Sequence, residues 1–203
     1  MTRSPHLFSL LGLLILASAS AALGQSTQLI PWDAERLLSW GDFQCPPPAN
    51  ASQLSEAAAI HMTVKWHTQY AVRSERSGGY SWIGTVEDVL ISNSMNPRFS
   101  WVISSKATAA ILRHEQVHFD LNEVYARRLA ETLSGVQVSG TTAENTLSQL
   151  GEMIQQTADD ILDRLSVIQD RYDAETSHGT NASAQAQWES DIRAWLITPS
   201  LAP

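Results

Sequence analysis

The chain has 203 residues, a formal net charge of −8 at neutral pH and one cysteine, Cys45. The acidic balance, with no basic stripe, removes any electrostatic reason to bind nucleic acid or anionic lipid. One cysteine excludes an internal disulfide framework, so the fold must stand on its core, helped at most by a metal. Cys45 itself, in a proline-rich loop with no paired thiol, is a poor metal ligand.

The N-terminus reads as a secretory signal. Arg3 supplies positive charge, residues 7–17 (LFSLLGLLILA) form a short apolar core, and the small residues from Ala17 to Gly24 offer cleavage sites. The preferred cut follows Gly24, with Ala19, Ala21 and an uncleaved anchor as alternatives. The apolar run is short for a bilayer, and nothing later resembles a transmembrane helix. The expectation is one domain over residues 25–203, secreted or periplasmic, with no stable membrane insertion after signal removal.

After the signal, residues 32–43 (WDAERLLSWGDF) mix apolar anchors with charges, and Pro46-Pro47-Pro48 make a stiff extended loop. Residues 57–72 then alternate: Ile60, Met62, Val64, Trp66, Thr68, Tyr70 and Val72 share one face of a half-buried strand. His61, Lys65, His67 and Gln69 share the other, which makes the two histidines surface residues rather than ligands. A polar turn over residues 73–79 leads to a second strand or pair of strands over residues 80–92, and residues 93–97 are expected to break it. The reading is an antiparallel sheet of two to four strands.

From Ser104 the apolar period becomes helical, predicting a helix from about Lys106 to Leu133 that stops at Gly135. Val117, Leu121, Val124, Tyr125 and Leu129 fall on the same arc as His114 and His118, while Arg113, Gln116, Asp120, Glu123 and Arg127 point away. Thr141 and Glu144 spell a capping box for a second helix, whose stripe runs from Leu147 through Leu150, Ile154, Ala158, Ile161, Leu165 and Ile168 to Tyr172. That stripe suits antiparallel packing on the first helix. Residues 173–183 read as a loop, and Gln185 to Leu196 as a closing helix anchored by Trp188, Ile192 and Trp195.

The first helix carries His114-Glu115-Gln116-Val117-His118. Two imidazoles four residues apart lie on one helical face and can hold one metal ion, and the glutamate between them can take a proton from an attacking water. Two satisfied core histidines with an exposed Glu115 are the plain alternative, but the motif sits inside a helix with its histidines on the buried face. A catalytic zinc takes three protein ligands. Glu123 lies about 180° from His114 on the wheel, which suits a surface pair with Arg127 instead. Asp120 fails similarly. His178, in a loop beside Gly179, is the preferred third ligand. Asp173 and Glu175 are the carboxylate alternatives, and Tyr172 is a candidate donor to a developing oxyanion.

These residues resemble the DUF922 family of bacterial proteins, which are read as secreted zinc-dependent proteases. The resemblance is carried by Leu38-Ser39-Trp40-Gly41-Asp42-Phe43 and the prolines after it, by Ser81-Trp82, and by His114 to Asp120 running into Glu123, Ala126 and Arg127. Tyr172-Asp173, Thr176, His178-Gly179, Gln185 and Trp188 complete it. It implies His114 and His118 as ligands and Glu115 as base, and it draws attention to His178. Val117 stands where the family often has glycine.

The expected fold is α+β: a small antiparallel sheet followed by a long HExxH helix packed on a second long helix, a zincin-like arrangement. The expected function is a zinc-dependent metalloprotease acting on peptide or protein, with Zn2+ on His114, His118 and His178, Glu115 as base, and residues 86–91 as an edge strand for the substrate. A non-catalytic, zinc-stabilised module that binds envelope material, and a hydrolase of a cell-wall amide, are the competing readings.

Overall fold

The computed structural model describes residues 28–76 and 80–203, so the proposed signal at residues 1–24 lies outside the described residues. The elements follow as β1 (Ile30–Pro31), β2 (Ala58–Ala59), β3 (Met62–Arg76), β4 (Tyr80–Met95), β5 (Trp101–Val102), α1 (Ala109–Ser134), β6 (Gln137–Gly140), α2 (Ala143–Thr176) and α3 (Ala182–Ile197). This is an α+β fold. Among the described residues no helix is long and apolar enough to cross a membrane.

The β3–β4 pair dominates the sheet. It is antiparallel from Met62↔Met95 to Arg76↔Tyr80, with one irregularity between Gln69 and Tyr70. β1 and β6 add to β4, at its end and its beginning respectively. Because side chains alternate along a strand, Val64, Trp66 and Tyr70 turn toward the helices, while His61, Lys65 and His67 face water. β4 does not break at Asn93 as its residue types suggest. Asn93 and Ser94 stay paired with Val64 and Thr63, and the buried Asn93 amide donates to the Phe119 carbonyl and the Glu123 carboxylate. Tertiary hydrogen bonds here override a local preference for turns.

α1 starts at Ala109, later than predicted, because Thr108 is its N-cap and accepts a hydrogen bond from the Ile111 amide. The cap of α2 is Thr142 rather than Thr141: its side chain accepts from the Asn145 amide. Thr142→Ala should therefore cost about 1 kcal/mol, and Thr141→Ala less than about 0.5 kcal/mol. Urea melts of the two variants give both numbers, and equal costs would contradict this cap.

α2 is also longer than predicted. It continues through residues 173–176, leaving a loop of only a few residues before α3. The buried Thr176 hydroxyl donates to the Tyr172 carbonyl, and Arg171 pairs with Glu175 four residues on, so a polar stretch that reads as loop becomes one more helical turn. His114 meets Asp173 and His118 meets Gln169, so α1 and α2 run in opposite directions. Leu121, Val124, Tyr125 and Leu129 of α1 form the core with Leu150, Ile154, Ile161 and Leu165 of α2, closed by Trp188 and Ile192 of α3.

A second, smaller cluster explains why the outward side of α1 is not bare. Leu38, Phe43, Met95 and Phe119 pack together there, with Trp32 and Trp40 at their edge. The Trp32 indole donates to Asp120, and the Leu38 amide donates to Gln116. The N-terminal segment thus covers the polar face of α1 opposite the site.

Candidate metal centre

The first half of α1 supplies His114, Glu115 and His118, all buried. The last two turns of α2 supply Gln169, Tyr172, Asp173 and Thr176. These recur at helical spacing, so one face of α2 meets the histidine face of α1. His114 Nε2 lies 2.9 Å from Asp173 Oδ1, His118 Nε2 lies 3.0 Å from the same oxygen, and the two nitrogens are 3.1 Å apart. A tetrahedral ion with ligands at about 2.0–2.1 Å holds its donor atoms roughly 3.3–3.4 Å apart, so the triangle fits one within a few tenths of an ångström.

His178 stands beside this triangle. Its Nδ1 is 3.3 Å from Asp173 Oδ1 but is not aligned to hydrogen-bond it, and that buried nitrogen has no hydrogen-bond partner among the described residues. His114, Asp173 and His178 also offer donor atoms within 4.8 Å of one another. Two triads can therefore be drawn through His114 and Asp173. The one closed by His118 is the tighter, because all its sides are near 3 Å.

The turn that carries His178 is unusual. Ser177, His178 and Gly179 have φ of 48°, 50° and 81°, three left-handed residues in succession. Only the glycine takes that conformation without strain, and the other two mark a site held in place by its surroundings. A Cβ on Gly179 would sit 2.7 Å from His114 Cβ, so the glycine also lets the turn press against the back of that ring.

Electrostatics follow from burial and from Asp173. Burial is the largest influence on Glu115 and pushes its carboxyl up to about 7, against the pull of the His118 charge and of the Ile60 backbone. Burial also lowers His114. It opposes the charge on His118 too, but the hydrogen bond to Asp173, the Glu115 charge and Gln169 outweigh it and raise that ring. Burial would raise Asp173, yet its two histidine partners hold it well below the usual carboxylate range. The triangle therefore attracts positive charge.

The cluster opens into a cleft walled by residues 56–60 and Met62 on one side and by Ile111, His114, Glu115 and His118 on the other, with Gln169, Asp173 and His178 at its end. Two expectations need correction. Tyr172 does not line this cleft. It is fully buried, stacks on His114 at 4.6 Å between ring centroids, and donates its hydroxyl to Gln185 Oε1, so it is a packing and hydrogen-bonding partner of His114 rather than an oxyanion donor. Residues 86–91 do not line it either: among the described residues β4 pairs with β3 alone over 87–91, so the expected sheet edge is present, but it lies away from the cleft. The strand beside the cluster is β2.

Asp120 binds Trp32 and Gln116, Glu123 pairs with Arg127 as its spacing predicts, and Glu175 is taken by Arg171 and Trp188. None of the three lines the cleft. Sequence reasoning missed Gln169, whose signal was its position four residues before Asp173 on a helix that had been ended too early. It also gave Gln185 no role.

No curated protein and no solved structure gives a significant match to the chain. A family model described as bacterial protein of unknown function, DUF922, matches residues 47–179, which is more than half of the sequence and includes every corner of the triangle. The chain belongs to the DUF922 family.

Proposed function

We propose that this chain is a secreted, zinc-dependent metalloprotease of zincin-like design, with His114, His118 and Asp173 as ligands and Glu115 as general base. The observation that carries the reading is the triangle of two imidazole nitrogens and a carboxylate oxygen, each within 3.1 Å of the others. Three such acceptors repel unless a cation or a proton lies among them. Two imidazoles with one carboxylate are a donor set suited to zinc, which when bound lowers the pKa of a coordinated water toward about 7 and polarises a carbonyl.

The protein residues supply the rest. Glu115 lines the same cleft, and its raised pKa suits it to accept a proton from the attacking water and return it to the leaving amine. β2 supports a peptide as the substrate. Ala57 accepts from Ile103 and Ala58 sits opposite Val102, so the alternation of the ladder turns the Ala58 N–H and C=O away from β5. Ile60 reaches Glu115 from that same side. An extended peptide can pair there, and the small side chains of residues 57–59 leave it room.

The test is metal content and chelation of the chain from residue 25 onward. About one zinc per chain is expected, with hydrolysis of an unfolded protein substrate abolished by a chelator and restored by zinc. A protein that takes up no metal, or that cleaves equally well in chelator, ends the proposal.

The unpaired Nδ1 of His178 favours one competing reading, a closed four-ligand site in a non-catalytic binding module. Cobalt-substituted protein separates the two. An open site changes its visible spectrum when a small anion such as azide is added, and a closed one does not.

A further inference from the structure

We infer that Gln169 and Gln185 are positioning residues that fix which ring nitrogen of His118 and His114 carries hydrogen, and so keep both Nε2 atoms bare toward the cation. The inference rests on the metal-centre reading above.

The two amides are oriented by partners that can only accept. Gln169 Nε2 lies 3.0 Å from the carbonyl oxygen of His118, so the NH2 group must point there. Its Oε1 then faces His118 Nδ1 at 2.5 Å, and that nitrogen must be the donor. Gln185 Nε2 lies 3.1 Å from the Glu189 carboxylate, which again demands the NH2 group. Its Oε1 receives the Tyr172 hydroxyl at 2.7 Å and faces His114 Nδ1 at 3.3 Å, so this nitrogen too must donate. Thr176 agrees: its hydroxyl hydrogen goes to the Tyr172 carbonyl, which leaves a lone pair toward the same Nδ1 at 3.4 Å.

A neutral imidazole has one hydrogen. With both placed on Nδ1, both Nε2 lone pairs are left toward Asp173 Oδ1 and each other. One glutamine comes from α2 and the other from α3, so the arrangement requires both helices to be docked on α1. It also gives Tyr172 and Glu189 a function at one remove, since they hold the Gln185 amide in its working orientation.

The test uses Gln169→Met and Gln185→Met, which keep the size of the side chain but remove the acceptor, and Gln169→Glu, which restores an acceptor. Zinc dissociation constants come from competition with a chromophoric chelator. The ring-hydrogen position is read from long-range proton–nitrogen spectra of metal-free, nitrogen-15-labelled protein. Each methionine variant should bind zinc about 10- to 100-fold more weakly, Gln169→Glu should recover most of the loss, and His114 should carry its hydrogen on Nδ1 in the wild type but partly on Nε2 in Gln185→Met. Methionine variants that bind within about twofold of wild type, or a Gln169→Glu variant no better than Gln169→Met, would overturn the inference while leaving the metal centre intact. If the wild type binds no zinc, the metal reading fails by itself, and the spectra still decide this one: a shift of the His114 hydrogen away from Nδ1 in Gln185→Met supports it, and a ring unchanged between wild type and Gln185→Met overturns it.

Discussion

Glu115→Gln is expected to keep about one zinc per chain and to lower turnover by about 10²- to 10⁴-fold, the usual worth of a positioned acid–base group. The substitution preserves shape and still presents an oxygen to the Ile60 backbone. Only the proton acceptor is lost. Metal analysis and rate on the same preparation check it, and retained turnover would remove Glu115 from the base role.

A second consequence concerns stability. The Glu115 pKa is raised from 4.5 to about 7 in the metal-free fold, so the folded state binds a proton more tightly than the unfolded chain does. The buried carboxylate therefore costs stability that appears as pH rises above about 4.5 and is complete above about 7. Glu115→Gln should thus raise the melting temperature of metal-free protein at pH 8, by the equivalent of up to about 3 kcal/mol. It should leave melting at pH 4 nearly unchanged. A stabilisation that is equal at both pH values would point to packing, not to charge.

Asp173→Ala should abolish stoichiometric zinc binding, with a fall in affinity well beyond the roughly 10- to 100-fold that an outer partner is worth. Among the described residues Asp173 is the one carboxylate within hydrogen-bond reach of both ring nitrogens, and removing it leaves two histidines, too few for a catalytic site. His178→Ala, by contrast, should retain about one zinc per chain, because its nitrogen lies outside the tight triangle. The same metal analysis on both variants decides between them. Zinc lost with His178→Ala and kept with Asp173→Ala would restore the three-histidine set suggested by the sequence.

Much of α1 and the hairpin was legible because periodicity reports burial directly. Val117, Leu121, Val124 and Leu129 share an arc with both histidines, and the alternation of residues 60–70 gave the inner face of β3. What could not be read depended on partners distant in sequence. Asn93 looks like a breaker until its amide is paired with Phe119 and Glu123 across the sheet. Residues 173–176 look like a loop until Thr176 is buried against α1. That one misplaced boundary hid the arc shared by Gln169, Asp173 and Thr176, which brings Asp173 to both histidines of α1. Tyr172 stacks on His114 rather than lining the cleft, a distinction that needs the position of α3.

With a single cysteine, the chain has no covalent cross-link of its own. His114 and Asp173 are 59 residues apart and sit on separate helices, so an ion held between them would fasten the two ends of a long loop, much as a disulfide does. At a concentration a thousand times its dissociation constant, such an ion would add about 4 kcal/mol to the folded state. On the proposed reading, loss of the metal would take this clasp along with the activity, and the loosened chain would become a substrate for any neighbour still loaded. Scarcity of zinc would remove this protein rather than merely silence it.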